Sequence, residues 1–529
     1  MSRVLLIGWD GADWRILDPL LERGVLPNLQ ALIVRGQKSV LRSTIPTHSW
    51  AAWPSFLTGV DPVDHGVYDI LDTIPGTHKQ YPVNYKSIKE RTFVEDLAAA
   101  GKAGVYADVP LMFPPPDLGS GKSLAGGVLP KGRTFSYPAD LPDELEKAGV
   151  PWEINGMSWT TYHNKPDPYL DEALDVTGKR IRATEWLLDN TDWDLMASVW
   201  VSVDRTQHCL SNYVGPDHPE YAENRTTQRY EKVVDIYRQL DDALGSFVSK
   251  TNEDDIIIFM SDHGFQSTSR AVHMDHLLKK LGYLEFDASN MIYGPMQWGP
   301  VRAVARRVYD ALGLHGKVSL KQPVSWSKTK AYTSIRSTGE GVSINLAGRD
   351  PDGIVDPNDF EQVRENLMDA LASFVDPETG EKPIKEIYKK EEIFKGRFAD
   401  QAPDILMVPA EQYSLTHAKT AVEKADWLAG DHRPEGVIVA AGPKVTPFES
   451  EPQLIDLAPT ILAALDAPAS VKHTGRVLHE VVADAQVTVD EGAAAAAATA
   501  STSTDSAGLS EQEIAEMEEH LAGLGYLEE

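Results

Sequence analysis

Seven polar side chains stand where apolar runs of this 529-residue chain begin or end: Asp10, Ser49, Asp204, His208, Asp262, His263 and His432. Three carboxylates, three imidazoles and one hydroxyl make a donor set for two divalent cations. Two such ions about 3.5–4 Å apart can hold both the attacking and the leaving oxygen of an in-line phosphoryl displacement. A cation beside Ser49 would lower the pKa of its hydroxyl and make it a nucleophile without a histidine base. Two dications against three carboxylates and an alkoxide leave a near-neutral site that can accept an anionic phosphate.

Each residue also has a plainer role. Ser49 follows the extended SVLRSTIP (Ser39–Pro46) and opens the run of Trp50, Trp53, Phe56 and Leu57. A serine there is most often an N-cap, although the free N–H groups of a helix start also suit an anion. Asp10, just past VLLIG, reads equally well as a loop cap. Asp204-x-x-x-His208 puts two ligands on one face if the segment is helical, yet the same spacing recurs on many surface helices. Asp262-His263-Gly264 at the end of DIIIFM is more specific, with the glycine letting the chain turn sharply. His65 beside Gly66 reads as a turn residue and Cys209 as a small buried one. Lys131 and Arg133 read as solvated charges that could also meet an anionic substrate.

The elements that must position these residues follow from the pattern. VLLIG (Val4–Gly8) is a continuous apolar run, as in a parallel strand buried on both faces; LMASVWVSV (Leu195–Val203) reads as another buried strand and DIIIFM (Asp255–Met260) as a strand of largely β-branched and aromatic character. Open α/β sheets bind ligands beyond the carboxyl ends of such strands. Helices are predicted over 14–23, 27–35, 89–100, 169–188, 229–248, 359–375 and 454–465, and further strands at 104–107, 343–347, 404–408 and 437–441. The prediction is an α/β fold, a mostly parallel central sheet flanked by helices. Residues 110–138, rich in Pro and Gly, read as too irregular for the sheet and as a pocket-shaping loop. A looser stretch at about 274–331, with helical LLKKLGYL and VRAVARRVYDALGL, is predicted to be an inserted cap.

The catalytic domain is thus expected to span 1–485. Residues 486–508 read as a flexible low-complexity linker. Residues 509–529 read as an amphipathic helix, opened by the capping box Ser510–Glu513, striped by Ile514, Met517, Leu521 and Leu524, and stopped by Gly525. It must dock on this chain or on a partner, a second copy included. A net charge of −29 argues against a nucleic-acid duplex as ligand. The single cysteine leaves no disulfide framework and no Cys-based zinc site. No apolar stretch approaches the roughly 18 residues of a membrane span, and MSRVLLIGWDG is too short for a signal sequence. These features read as a soluble cytoplasmic protein.

The order of WDG, PNLQAL, IPTHSWAAWPSFLTG, DRTQH, SDHGF and GDHRPEG resembles the alkaline phosphatase superfamily. It is nearest the type I phosphodiesterase/nucleotide pyrophosphatase branch, over about residues 3–480. The resemblance implies an alkaline phosphatase-like fold. It implies one metal on Asp204, His208 and His432, a second on Asp10, Asp262 and His263, and Ser49 as the phosphorylated nucleophile. It also implies zinc most often, and manganese in some branches. Two departures stand out. The nucleotide pyrophosphatases carry Thr followed by Phe-Pro-Asn-His, where this chain has Ser49 followed by Trp-Ala-Ala-Trp. The C/S-x-P-x-R setting of sulfatases is not matched. The expected activity is hydrolysis of a small-molecule phosphate ester, diesters first and nucleotide-type ones among them. A phosphomonoesterase or phosphomutase would share the chemistry. A non-catalytic scaffold would show missing ligands, and all seven residues are in place.

Overall fold

The computed structural model describes residues 2–130, 134–154, 156–162, 165–287, 324–335, 337–416, 420–425, 428–483, 485–489 and 508–524. An eight-stranded sheet runs through its centre, in the spatial order Gln37–Arg42, Glu435–Ala441, Ile256–Met260, Val4–Trp9, Leu195–Trp200, Gly104–Ala107, Lys122–Leu124 and Ser136–Tyr137. The middle five, from Ile256–Met260 to Lys122–Leu124, pair in parallel. Glu435–Ala441 and Gln37–Arg42 add antiparallel strands at one edge, and Ser136–Tyr137 adds one at the other. Val4–Trp9 is buried at every residue because it pairs on both sides and is covered on both faces.

Helices flank this sheet and share one core with it. Pro166–Asn190 opens with proline at its first turn, where a missing N–H costs nothing. It packs on Gln228–Val248, which is capped by the Thr227 hydroxyl. Asp241 of that second helix accepts from the backbone N–H groups of Asn28 and Leu29, at 2.9 and 2.8 Å, and so pins the start of the helix Pro27–Arg35.

Three sequence expectations are corrected here. The strand from Leu195 stops at Trp200, because the helix Ser202–Val214 begins two residues later. Asp204 therefore lies in that helix's first turn. Residues 110–138 do enter the sheet: Val105–Ala107 pairs with Lys122–Leu124, which pairs with Ser136 and Tyr137. Segments of two or three residues are too short to show a period, and the edge ladder itself satisfies their backbone. A strand that apolar patterning missed, Gly264–Val272, leaves the site directly after His263 and pairs antiparallel with Gly430–Arg433.

A second core gathers Met274, Leu277, Val342, Ile344, Leu367, Leu371, Ile405 and Met407. It is built on an antiparallel sheet in the order Ala331–Thr333, Gly341–Ile344, Ile405–Pro409 and Ile384–Lys389, with the helix Phe360–Ser373 against it. Of the cap expected at 274–331, the helix Met274–Lys280 is described, and VRAVARRVYDALGL lies outside the described residues, as do Lys131 and Arg133. So do most of the linker and Gly525. The C-terminal helix Glu511–Leu524 docks on this chain, with Met517 and Leu521 buried among Ile70, Leu71 and Val128. Among the described residues no helix is long and apolar enough to cross a membrane.

Candidate active site

Asp10 is carried past the end of Val4–Trp9, and its N–H donates to the Trp200 carbonyl at 3.2 Å. Gly11 follows with φ +69°, a left-handed conformation cheap only for glycine, and its N–H reaches Asp262 Oδ1 at 3.3 Å. Asp204 and His208 sit one turn apart on Ser202–Val214. Asp262 and His263 follow Ile256–Met260 at once. His432 arrives from the far end of the chain on Gly430–Arg433, in register with Phe265. All six are buried or nearly so.

Two groups result. Asp204, His208 and His432 offer ligand atoms within 4.8 Å of one another, and so do Asp10, Asp262 and His263. In the first, Asp204 Oδ1 is 3.4 Å from Nε2 of each histidine. His208 Nδ1 lies 3.1 Å from the Gly430 carbonyl, to which it donates, and this turns Nε2 toward Asp204 and His432. In the second, His263 Nδ1 meets the Gly264 carbonyl at 3.0 Å in the same way. Its Nε2 is 3.2 Å from Asp262 Oδ2.

Ser49 is the first residue of the helix Ser49–Thr58, and the N-cap is His48. The Ser49 hydroxyl is therefore not occupied by capping. It lies 3.0 Å from His263 Nε2 and 3.3 Å from Asp10 Oδ1. The one-residue shift from the capping reading puts Oγ into the second group.

The electrostatics of the two groups follow from their burial and from one another's charges. Burial, then the charges of Asp262 and Asp204, pushes Asp10 well above an ordinary carboxylate. Burial and Asp204 raise Asp262 to about 7. Burial also opposes ionisation of Asp204, but His208 and His432 outweigh it and hold that carboxyl well below its usual value. Burial lowers His263 to about 4. Burial, with the charges of His263 and His208, lowers His432 too, whereas at His208 burial is outweighed by the charge of Asp204, which raises the pKa. Bound divalent cations would hold these carboxylates and imidazoles in their ionised, unprotonated forms.

Further partners were not legible in the sequence. Trp53, read as apolar, donates from Nε1 to Asp10 Oδ2 at 3.1 Å. The only hint was that a buried indole N–H needs an acceptor. Asp13 Oδ2 accepts from the Phe265 N–H at 3.0 Å and from Arg433 at 3.2 Å, tying both strands of the antiparallel pair that carries His432 to the first strand's loop. Asp431 Oδ1 stands 3.5 Å from His432 Nδ1. His65 lies outside the site, accepting from Val67 N–H and facing Ser55 Oγ. Cys209 is half-buried, and burial holds its thiol well above the usual value.

The fold is similar to that of phosphonoacetate hydrolase from Sinorhizobium meliloti 1021, solved with phosphonoformate. The TM-score is 0.53 at 16% identity, over 88% of this chain and 95% of that one. Murine ectonucleotide pyrophosphatase/phosphodiesterase 5 in complex with AMP gives a TM-score of 0.48 at 17% identity, over 90% and 97%. No curated protein sequence matches this chain. The family described as type I phosphodiesterase/nucleotide pyrophosphatase matches residues 4–435, which include all seven site residues, and the chain belongs to that family.

Proposed function

We propose that this protein hydrolyses phosphodiesters through a phosphoserine at Ser49, with two divalent cations held by Asp204, His208 and His432 and by Asp10, Asp262 and His263. The observation that carries this reading is the position of Ser49 Oγ, uncommitted to capping and within 3.3 Å of both Asp10 Oδ1 and His263 Nε2. Cations bound there would polarise phosphoryl oxygens and lower the pKa of the Ser49 hydroxyl. The mixed N and O donors suit zinc, and manganese less well.

The chain's own residues supply the rest. Ser49 stands at a helix N-terminus, where unpaired N–H groups and the helix dipole favour a phosphate. Its hydroxyl donates toward Asp10 Oδ1, and Oγ attacks phosphorus as the P–O bond to the leaving alcohol breaks. Water then cleaves the Ser49 phosphoester and releases a phosphomonoester. Trp53 Nε1 holds Asp10 in orientation, and the Gly430 and Gly264 carbonyls hold the tautomers of His208 and His263.

The test is turnover of bis(4-nitrophenyl) phosphate against 4-nitrophenyl phosphate, with zinc or manganese loaded in turn. Ser49→Ala and chelator serve as controls. Ser49-dependent turnover favouring the diester supports the reading. Preference for the monoester reassigns the protein to phosphatases or phosphomutases, and turnover that survives Ser49→Ala ends the covalent mechanism.

A further inference from the structure

Ser49 enters its helix without a side-chain cap. The N-cap His48 makes no capping hydrogen bond, and the N–H groups of Ala51 and Ala52 both reach the His48 carbonyl. Hydrogen bonds from outside the helix fix the segment ahead of it. Thr47 Oγ1 donates to the Thr44 carbonyl at 2.9 Å, and His48 Nε2 donates to the Tyr68 carbonyl at 3.1 Å. The Thr47 N–H, two residues before Ser49, donates to Glu340 Oε2 at 3.1 Å, across 293 positions of sequence.

Glu340 comes from the second core. It ends the turn between Ala331–Thr333 and Gly341–Ile344, and its carbonyl accepts from the Met407 N–H at 2.8 Å in the neighbouring strand. Gly339 sets that turn with φ +66°, where a Cβ would lie 2.2 Å from the Leu415 carbonyl oxygen. In the same turn Ser337 donates to Asp69 Oδ1, from its hydroxyl and from its N–H at 3.3 Å. Asp69 follows Tyr68, whose carbonyl holds His48. The second core therefore grips the Ser49 loop directly at Thr47 and indirectly through Asp69.

A carboxyl is a costly choice at position 340. Glu340 is 6% exposed, and burial, then the charges of Asp431 and Asp69, push it well above an ordinary glutamate. An apolar side chain would fill the place at less cost, but it would leave the buried Thr47 N–H without this acceptor. We propose that Glu340 is a positioning residue for phosphoryl transfer: by holding the Thr47 N–H it sets where Ser49 Oγ stands relative to Asp10 and His263. The proposal rests on the phosphoserine reading above. A reacting atom misplaced by about 1 Å can cost roughly 100-fold in rate, so loss of this bond slows the chemical step more than it weakens substrate binding.

Two full-length variants test it. Glu340→Gln keeps a carbonyl acceptor for Thr47, and Glu340→Ala removes it. The readout is the single-turnover rate constant for 4-nitrophenolate release from bis(4-nitrophenyl) phosphate with enzyme in excess. A rate constant does not fall with the folded fraction, as an amplitude does. Glu340→Ala should slow this step at least about tenfold, with KM within about threefold and metal content unchanged, and Glu340→Gln should stay within about threefold of the native rate. Hydrogen exchange should show the Thr47 amide protected in the native and Gln proteins and unprotected in the Ala variant. An Ala variant as fast as the native protein overturns the proposal, as does a Gln variant as slow as the Ala one. Should Glu340→Ala not fold, Glu340→Leu, which fills the space and accepts nothing, decides in its place. Should the native protein cleave neither the diester nor the monoester, or cleave without Ser49, the reading above fails by itself. Calorimetric binding of inorganic phosphate to the metal-loaded chain then decides: binding weakened in Glu340→Ala and native in Glu340→Gln supports the positioning role, and equal binding in all three proteins overturns it.

Discussion

His208 and His432 direct their Nε2 atoms at each other across 3.0 Å, with Asp204 Oδ1 3.4 Å from both. With His208 Nδ1 donating to the Gly430 carbonyl, its Nε2 joins Asp204 Oδ1 and His432 Nε2 around one point. His432→Ala should lower bound divalent metal by about one equivalent, read by elemental analysis, and cut turnover by at least about 100-fold. Unchanged metal content would remove His432 from the ligand set.

Ser49→Ala should lower kcat on the order of a thousandfold or more, while metal content and melting temperature stay near those of the parent. Ser49→Thr keeps a hydroxyl at the first helical position and should retain a substantial fraction of the rate. A Thr variant as dead as the Ala variant would show that the extra methyl collides with its surroundings. Steady-state rates on both probes decide it.

Gly264 has no positive φ, so its role is close approach rather than the sharp turn expected of it. A Cβ there would lie 2.1 Å from the Glu435 carbonyl oxygen and 2.7 Å from Asp13 Oδ2. Gly264→Ala must push apart the strands that bring His263 and His432 together. It should cost about 1–3 kcal/mol, seen in urea denaturation, and should weaken metal binding as well. A variant with native stability would show that Glu435 and Asp13 give way easily.

Buried His65 is lowered to about 3 by burial and then by the charge of Lys89. The unfolded chain takes up a proton below about 6.5, and the folded one does not until about 3. The unfolded state therefore binds more protons in that window. This contribution to stability is fully present above 6.5 and declines as pH falls, by at most about 1.4 kcal/mol per pH unit. His65→Gln should flatten the loss of stability between pH 7 and pH 5, measured from urea midpoints. Parallel curves for the two proteins would count against it.

The α/β architecture was legible because Val4–Gly8, Leu195–Trp200 and Ile256–Met260 are apolar but for Ser198, a pattern suited to doubly covered strands. Asp10 and the pair Asp262 and His263 stood out because they follow such runs at once, and Asp204 and His208 because they continue one, whereas Ser49 follows a half-exposed strand and His432 precedes a later run. What surrounds them was not. The Trp53–Asp10 hydrogen bond joins positions 43 apart, and the Asp13–Arg433 pair joins positions 420 apart, which no local period encodes. The placement of Ser49 turned on one residue, because His48 takes the extended cap conformation and leaves the serine in the helix. In the second core the strands Gly341–Ile344 and Ile405–Pro409 and the helix Phe360–Ser373 were legible from their apolar runs, whereas the three-residue Ala331–Thr333 and the mostly half-exposed Ile384–Lys389 were not.

Glu435–Ala441 lies between Ile256–Met260 and Gln37–Arg42, and the latter has no other neighbour in the main sheet. An early strand thus waits for a late one. During synthesis the segment leading to Ser49 stays without its ladder until about 400 further residues have been made, a contact of high sequence separation and slow closure. A nascent chain cut short before residue 432 would hold an exposed strand edge and no His432, so premature termination should yield aggregation-prone products rather than partly active ones.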